Sequence, residues 1–156
     1  MLVDGIGSAR RREVWEDWLD VLTMLSAHVR VNSAWLGGSF VTSKKEPDDI
    51  DCVFWVEDVE LVRASRDPVA AAVVGDIATP GRMRQLRLRV DSYVVPWVSN
   101  GGAAPRGPAD IAYHRQRGYW DDLWLRLRSG VKGAQPVRAD SIPRRGYLEV
   151  NLDGYE

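Results

Sequence analysis

The chain carries a single cysteine, Cys52, in 156 residues, so no internal disulfide can frame the fold and a buried core has to hold it. No apolar run approaches the roughly 18 residues that a membrane-spanning helix needs. The opening stretch "MLVDGIGSARRREVW" also lacks the continuous apolar segment of a secretory leader. These absences lead us to expect a cytoplasmic protein with no membrane partner. Excess charge is missing too: the net value is −1, which leaves no whole-molecule field to pull the chain onto nucleic acid or anionic lipid. Any anion site has to be local. Lysine is scarce, with only Lys44, Lys45 and Lys132, and arginine supplies the remaining positive charge. Arginine forks suit phosphate and carboxylate, although genome composition alone produces the same bias. Of the two histidines, His28 has no partner ligands at metal spacing and His114 reads as a surface or packing residue.

What is present reads as one domain over residues 1–156, long enough for a two-layer core. Val14, Trp18, Val21, Leu22, Leu25 and Val29 recur at three- and four-residue steps, which predicts an amphipathic helix over Ala9–Val29 with Ser8 as its N-cap. A short strand at Ala34–Leu36 is stopped by Gly37-Gly38, and a second spans Asp49–Val56, with a polar helical turn between them. Helical pieces follow at Asp58–Ala64 and Val69–Val74, with Pro68 at a first helical position and Gly75 as terminator. A third strand is expected over Gln85–Val95, where Leu86, Leu88, Val90 and Val94 alternate with Arg87, Arg89, Asp91 and Tyr93. Ile111–Arg128 returns to helical spacing, and "GYLEVNL" alternates as a terminal strand. Glycine, proline and small residues mark mobile loops near 99–109 and 129–145. This order of elements is α+β: a small mixed sheet with helices packed on one face.

The stretch that asks for a chemical explanation is "GGSFVTSKKEPDDIDCVFWV". In an extended chain Asp49 and Asp51 project to one side while Ile50, Cys52 and Phe54 point into the core. Two carboxylates so close repel unless a cation lies between them, and Mg²⁺ favours such oxygens while completing its shell with water and phosphate. Gly38-Ser39 supplies a phosphate binder: glycine lets backbone amides approach an anion, and the hydroxyl adds a donor. Asp91, on the polar face of its strand, is a third carboxylate, with Arg87 and Arg89 nearby to meet phosphate charge or to pair with it. Taken alone, an Asp-x-Asp is ordinarily a solvated face, Lys44-Lys45 a solvated pair, and Asp91 an arginine partner. Trp55 falls by parity on the aspartate side of its strand, where it would stack on a base or pack under the last helix.

The run "LGGSFVTSKKEPDDIDCV" resembles the signature of the polymerase-β-like nucleotidyltransferase superfamily. Gly38 and Ser39 fill its turn, Asp49, Ile50, Asp51 and Cys52 fill its acidic strand with a spacer at the short end of the family's range, and Asp91 is the candidate for the later-strand carboxylate. The overall layout looks like a short bacterial nucleotidyltransferase-like protein. The resemblance implies an enzyme that moves a nucleoside monophosphate from a nucleoside triphosphate such as ATP to a hydroxyl, using Mg²⁺ or Mn²⁺. Asp49, Asp51 and Asp91 would hold the metals, and Gly38, Ser39, Lys44, Lys45 and Arg89 would contact the nucleotide. The acceptor would be RNA (a tRNA end), a protein or a small molecule, with toxin–antitoxin enzymes among the short relatives. No helical substrate domain fits in the chain, so a protein partner or homo-oligomer would complete recognition. The competing expectation is a catalytically inactive module of the same fold, serving as a regulatory or antitoxin-like partner.

Overall fold

A computed structural model describes residues 8–100, 102, 104–131 and 133–153. The reading of residues 1–7 as free of a leader, and of positions 101, 103 and 132 as parts of mobile loops, lies outside the described residues. The chain is α+β and divides into two compact units, residues 1–99 with 148–156, and residues 100–147.

The first unit begins with helix α1, Ala9–Ser26. Ser8 caps it as its side chain accepts from the Arg11 amide at 3.2 Å. Strands β1, Val31–Gly37, and β2, Ile50–Glu57, pair antiparallel, with a one-turn 3₁₀ helix at Gly38–Val41 between them. Helices α2, Asp58–Ala64, α3, Pro68–Ala78, and α4, Arg82–Gln85, carry the chain to β3, Val90–Trp97, which pairs parallel to β2. β4, Leu148–Asn151, joins the other side of β1 and gives an open four-stranded sheet in the order β3-β2-β1-β4.

Residue parity sorts the sheet faces. Ala34 and Leu36 of β1 and Ile50, Cys52, Phe54 and Val56 of β2 enter one core with Val14, Trp18, Val21 and Leu25 of α1 and Ile77 of α3. Asp51, Val53 and Trp55 therefore occupy the opposite face. Trp18 stacks over Phe54 with centroids 6.3 Å apart, and its Nε1 donates to Cys52 Sγ at 3.2 Å. Burial pushes the Cys52 thiol well above its ordinary range, so it acts as a packing atom and not as a nucleophile. No helix among the described residues is long and apolar enough to cross a membrane.

Several boundaries differ from expectation: α1 ends at Ser26 and not at Val29, the helix expected over Ile111–Arg128 spans Pro108–Leu125, and three further differences have a clear physical reason. β1 starts three residues earlier than the predicted strand, at Val31, because it is buried along its whole length and shows no alternation to read. α3 runs through Gly75 to Ala78, since Asp67 caps its start through the Val69 and Ala70 amides and Ile77 buries its end. The third strand begins at Val90 and not at Gln85. Gly81 (φ +74) opens the one-turn α4 and Arg87 (φ +65) closes it, and Leu86, half exposed, has no place in the core. The Leu–Arg alternation there imitates a strand.

The second unit is built on α5, Pro108–Leu125, where Trp120, Trp124 and Tyr147 meet edge to face at centroid distances of 5.9 and 6.0 Å. The segment expected to be a loose loop at 129–145 contains a 3₁₀ turn, Arg138–Ser141, organised by Asp140. Its carboxylate accepts from the Ser129 hydroxyl at 2.7 Å, the Ser129 amide at 2.8 Å and the Val137 amide at 3.0 Å. These donors, with Arg144 beside them, hold the Asp140 carboxyl below its usual range. Because the folded value lies below the unfolded one, about 3.9, this contribution is complete above that pH and is lost as pH falls through the folded value. The Ser129 and Val137 amide resonances should therefore shift together in an NMR titration below about pH 4, and Asp140→Asn should abolish that step.

Candidate functional site

The carboxylate corner lies in the first unit, where β1 ends and β2 begins. β2 and β3 run parallel in a register that sets Asp51 directly opposite Asp91. Both side chains leave the sheet on the face opposite α1 and α3, as period two requires. Asp49 sits one residue ahead of β2, in the irregular segment that follows Pro47. Gly38 closes the corner from the β1 side. Its φ is +68, and a Cβ added there would fall 1.7 Å from Asp51 Oδ2 and 2.8 Å from Asp51 Cγ. The glycine is thus required twice, by its left-handed backbone and by the carboxylate packed on its Cα.

Arg84 of α4 provides the positive charge in this corner. One nitrogen, Nη2, bonds Asp49 Oδ2 and stands 4.0 Å from Asp91 Oδ2. The other oxygen of Asp91, Oδ1, accepts the Gly81 amide at 3.1 Å. Sequence reasoning missed Arg84 because the expected strand placed Arg87 and Arg89 beside Asp91. The available signal was the triad Gly81, Met83 and Arg84: a helix-opening glycine, a core anchor (Met83, 1% exposed) and a cation next to it on the outer face.

The other expected phosphate contacts are distributed unevenly. Ser39 lies in the 3₁₀ turn beside Gly38, and its carbonyl accepts the Thr42 amide and hydroxyl at 3.3 and 2.8 Å. Lys44 pairs with Asp48 at 2.6 Å, and Lys45 is exposed. Arg89 does not face the corner: its Nη1 and amide both bond Asp17 of α1, at 3.0 and 2.9 Å, and its Nη2 lies 3.2 Å from Glu13. The strand starts one residue after Arg89, so parity no longer ties it to Asp91. Trp55 is fully buried and meets Trp35 edge to face at 5.0 Å, which leaves no open ring face for a base.

Arg11 positions the turn from behind. Although only 3% exposed, its guanidinium lies over the Phe40 ring at 5.2 Å and bonds three carbonyls, those of Phe40, Thr42 (3.3 Å) and Lys44 (2.6 Å). One buried cation thereby ties the segment after Gly38-Ser39 to α1. A separate cleft of about 440 Å³ lies at the other end of β1, lined by His28, Arg30, Glu60, Arg63 and Asp153. Its arginines are engaged by its acids, Arg30 with Asp153 at 2.6 Å and Arg63 with Glu60 at 2.7 Å, so it is a neutralised surface.

The donor set of the corner is of the right kind for Mg²⁺ or Mn²⁺: three carboxylates and no soft ligand. As the side chains stand, no group of three His, Cys, Asp or Glu among the described residues is arranged to hold a metal ion. Two of the three carboxylates, Asp49 and Asp91, are paired with the Arg84 guanidinium instead.

The fold and this corner define a small α+β domain with an acidic cluster at the edge of a mixed sheet. Residues 2–151 match the model of a family of unknown function (DUF6932), and the chain belongs to that family. No curated protein and no solved structure matches it.

Two substitutions test this geometry. Gly38→Ala should destabilise the fold by at least about 1 kcal/mol from its left-handed backbone alone, and by more from the clash with Asp51, measured by urea unfolding. Arg11→Met should cost about 2–4 kcal/mol, because three carbonyls lose a charged donor, and amide exchange should quicken across Phe40–Lys44.

Proposed function

We propose that the chain is a metal-dependent nucleotidyltransferase that moves a nucleoside monophosphate from a nucleoside triphosphate to a hydroxyl. One observation carries the reading: Asp49 and Asp91, distant in sequence, share a single cation in a corner where Asp51 is packed on the Gly38 turn. The parallel register of Asp51 with Asp91 and the donor chemistry support it as well.

In this reading Asp49, Asp51 and Asp91 hold Mg²⁺ or Mn²⁺, which when bound neutralises phosphate charge and lowers the barrier to attack by a hydroxyl. The amides of the Gly38–Val41 turn and the Ser39 hydroxyl receive the β- and γ-phosphates, and Lys45, exposed four residues after the turn, adds long-range attraction. Asp91 takes the acceptor's proton through Oδ2, because Oδ1 already accepts the Gly81 amide. A bond forms between the acceptor oxygen and the α-phosphorus as the bond from that phosphorus to pyrophosphate breaks. Positioning and charge stabilisation supply most of the catalysis in such transfers, so few side chains suffice. The near-neutral chain favours an acceptor other than RNA bound through its backbone alone. A protein or small-molecule hydroxyl, or RNA presented by a partner, is consistent with it.

A second reading is a binding module of the same architecture without turnover. The pairing of Arg84 with Asp49 favours it, because a fixed guanidinium would occupy the carboxylates permanently. Incubation with each α-labelled nucleoside triphosphate, Mg²⁺ or Mn²⁺ and a cell extract separates the two. Transfer of label to protein, RNA or a small molecule is expected for the wild type, with at least a hundredfold loss in Asp51→Asn at little cost in stability. Equal labelling by the variant would remove Asp51 from the mechanism, and no labelling under any condition would leave the binding module.

A further inference from the structure

We propose that Arg84 is an internal competitor for the divalent cation: its guanidinium takes the position between Asp49 and Asp91 that a metal ion would fill, and it has to leave for that ion to bind. This rests on the reading of the corner as a metal site.

Three features of the corner support it. The first is the contact itself, with one guanidinium nitrogen on Asp49 Oδ2 and 4.0 Å from Asp91 Oδ2. A divalent ion held by those carboxylates would stand close to the guanidinium, where two cations repel strongly in a partly desolvated site. The second is selectivity among neighbouring cations. Arg82 is committed to Asp76 at 3.0 Å and to Gln85, Arg89 to Asp17 and Glu13, and Lys44 to Asp48, whereas Arg84 is the arginine of α4 that reaches the corner. The third is freedom to move. The Arg84 side chain is half exposed, while Met83 beside it is 1% exposed and fixes the backbone of α4. Rotation about side-chain bonds is therefore enough to withdraw the guanidinium, without a shift of the fold. An incoming polyphosphate is the natural recipient, since it offers a planar fork several anionic oxygens as the carboxylates turn to the metal. The consequence is a site that takes a divalent ion poorly by itself and well in company with a polyphosphate-bearing substrate.

The test is a Mn²⁺ titration of the full chain without nucleotide, followed by the loss of the free-ion electron paramagnetic resonance signal, for wild type, Arg84→Gln and Arg84→Lys. Circular dichroism melting of each variant confirms that the fold is intact. Arg84→Gln is expected to bind Mn²⁺ about tenfold more tightly than wild type, as removal of a competing cation requires, and Arg84→Lys, which keeps the charge, to stay within about twofold of wild type. Unchanged or weaker Mn²⁺ binding by Arg84→Gln overturns the proposal, whatever nucleotide does. Calorimetry with each nucleoside triphosphate then addresses the functional reading separately. Tighter Mn²⁺ binding by Arg84→Gln together with no nucleotide uptake by any form would keep the competition and remove the nucleotidyl-transfer reading.

Discussion

Parallel pairing of β2 with β3 is the constraint on which the corner depends. Its register puts Asp51 beside Asp91 on one face, and neighbouring strands lie only about 4.8 Å apart. Like charges directly opposite each other in a sheet are destabilising, so the fold carries a local electrostatic cost wherever this pairing forms. Arg84 and the Gly81 amide offset it from the α4 side. Gly38 accommodates it from the β1 side by presenting bare backbone to the Asp51 carboxylate. The one-turn α4 and the 3₁₀ turn are thus understood best as the two walls of the acidic pair, which the sheet places between them.

The strand pairing is held by a core that owes nothing to the acids. β2 places Ile50, Cys52, Phe54 and Val56 under α1 and α3, and a one-residue slip would drive Asp51 into that core. The cost of burying an unpaired carboxylate, several kcal/mol, therefore locks the register more firmly than hydrogen bonding alone would. Arg11 plays the complementary part on the helix side. It is a buried cation whose partners are carbonyls, so it fixes the backbone after Gly38 and leaves net positive charge behind the turn. An anion approaching the Gly38–Val41 amides would meet a favourable field from that direction as well.

The helix α1, strand β2 and the sidedness of Asp51 were legible in the sequence because each rests on a period that side-chain direction enforces. Gly38 was legible as a turn residue, although its second reason, contact with Asp51, is a tertiary fact that no local pattern contains. Arg84 was hidden for a different cause. The run Leu86, Leu88, Val90 has strand parity, and only the left-handed Arg87, an uncommon conformation for a side-chain-bearing residue, breaks it. The direction of Arg89 was hidden for the same reason, since a residue just outside the strand is no longer governed by the strand's parity and here turns to Asp17. β1 outruns the expected strand because a strand buried on both faces has no alternation to reveal its ends. The order around Asp140 is not legible in the sequence because that one aspartate produces it by accepting several hydrogen bonds, and composition does not register that kind of constraint.

The identity of the cation decides between holding and acting. A guanidinium can quiet two carboxylates but offers them only hydrogen bonds along fixed directions, whereas a divalent ion also leaves coordination positions open to substrate oxygens. If the acids existed only to be paired, the fold would gain by replacing them: an ion pair is often no better than a well-packed apolar substitute, and a half-exposed one contributes little. Nothing in the core requires Asp49 or Asp91, since neither belongs to the buried cluster. Under the proposed reading, their presence, together with a glycine that no other residue could replace without displacing Asp51, answers to a ligand that needs oxygen donors where β1 ends and β2 begins, and not to stability.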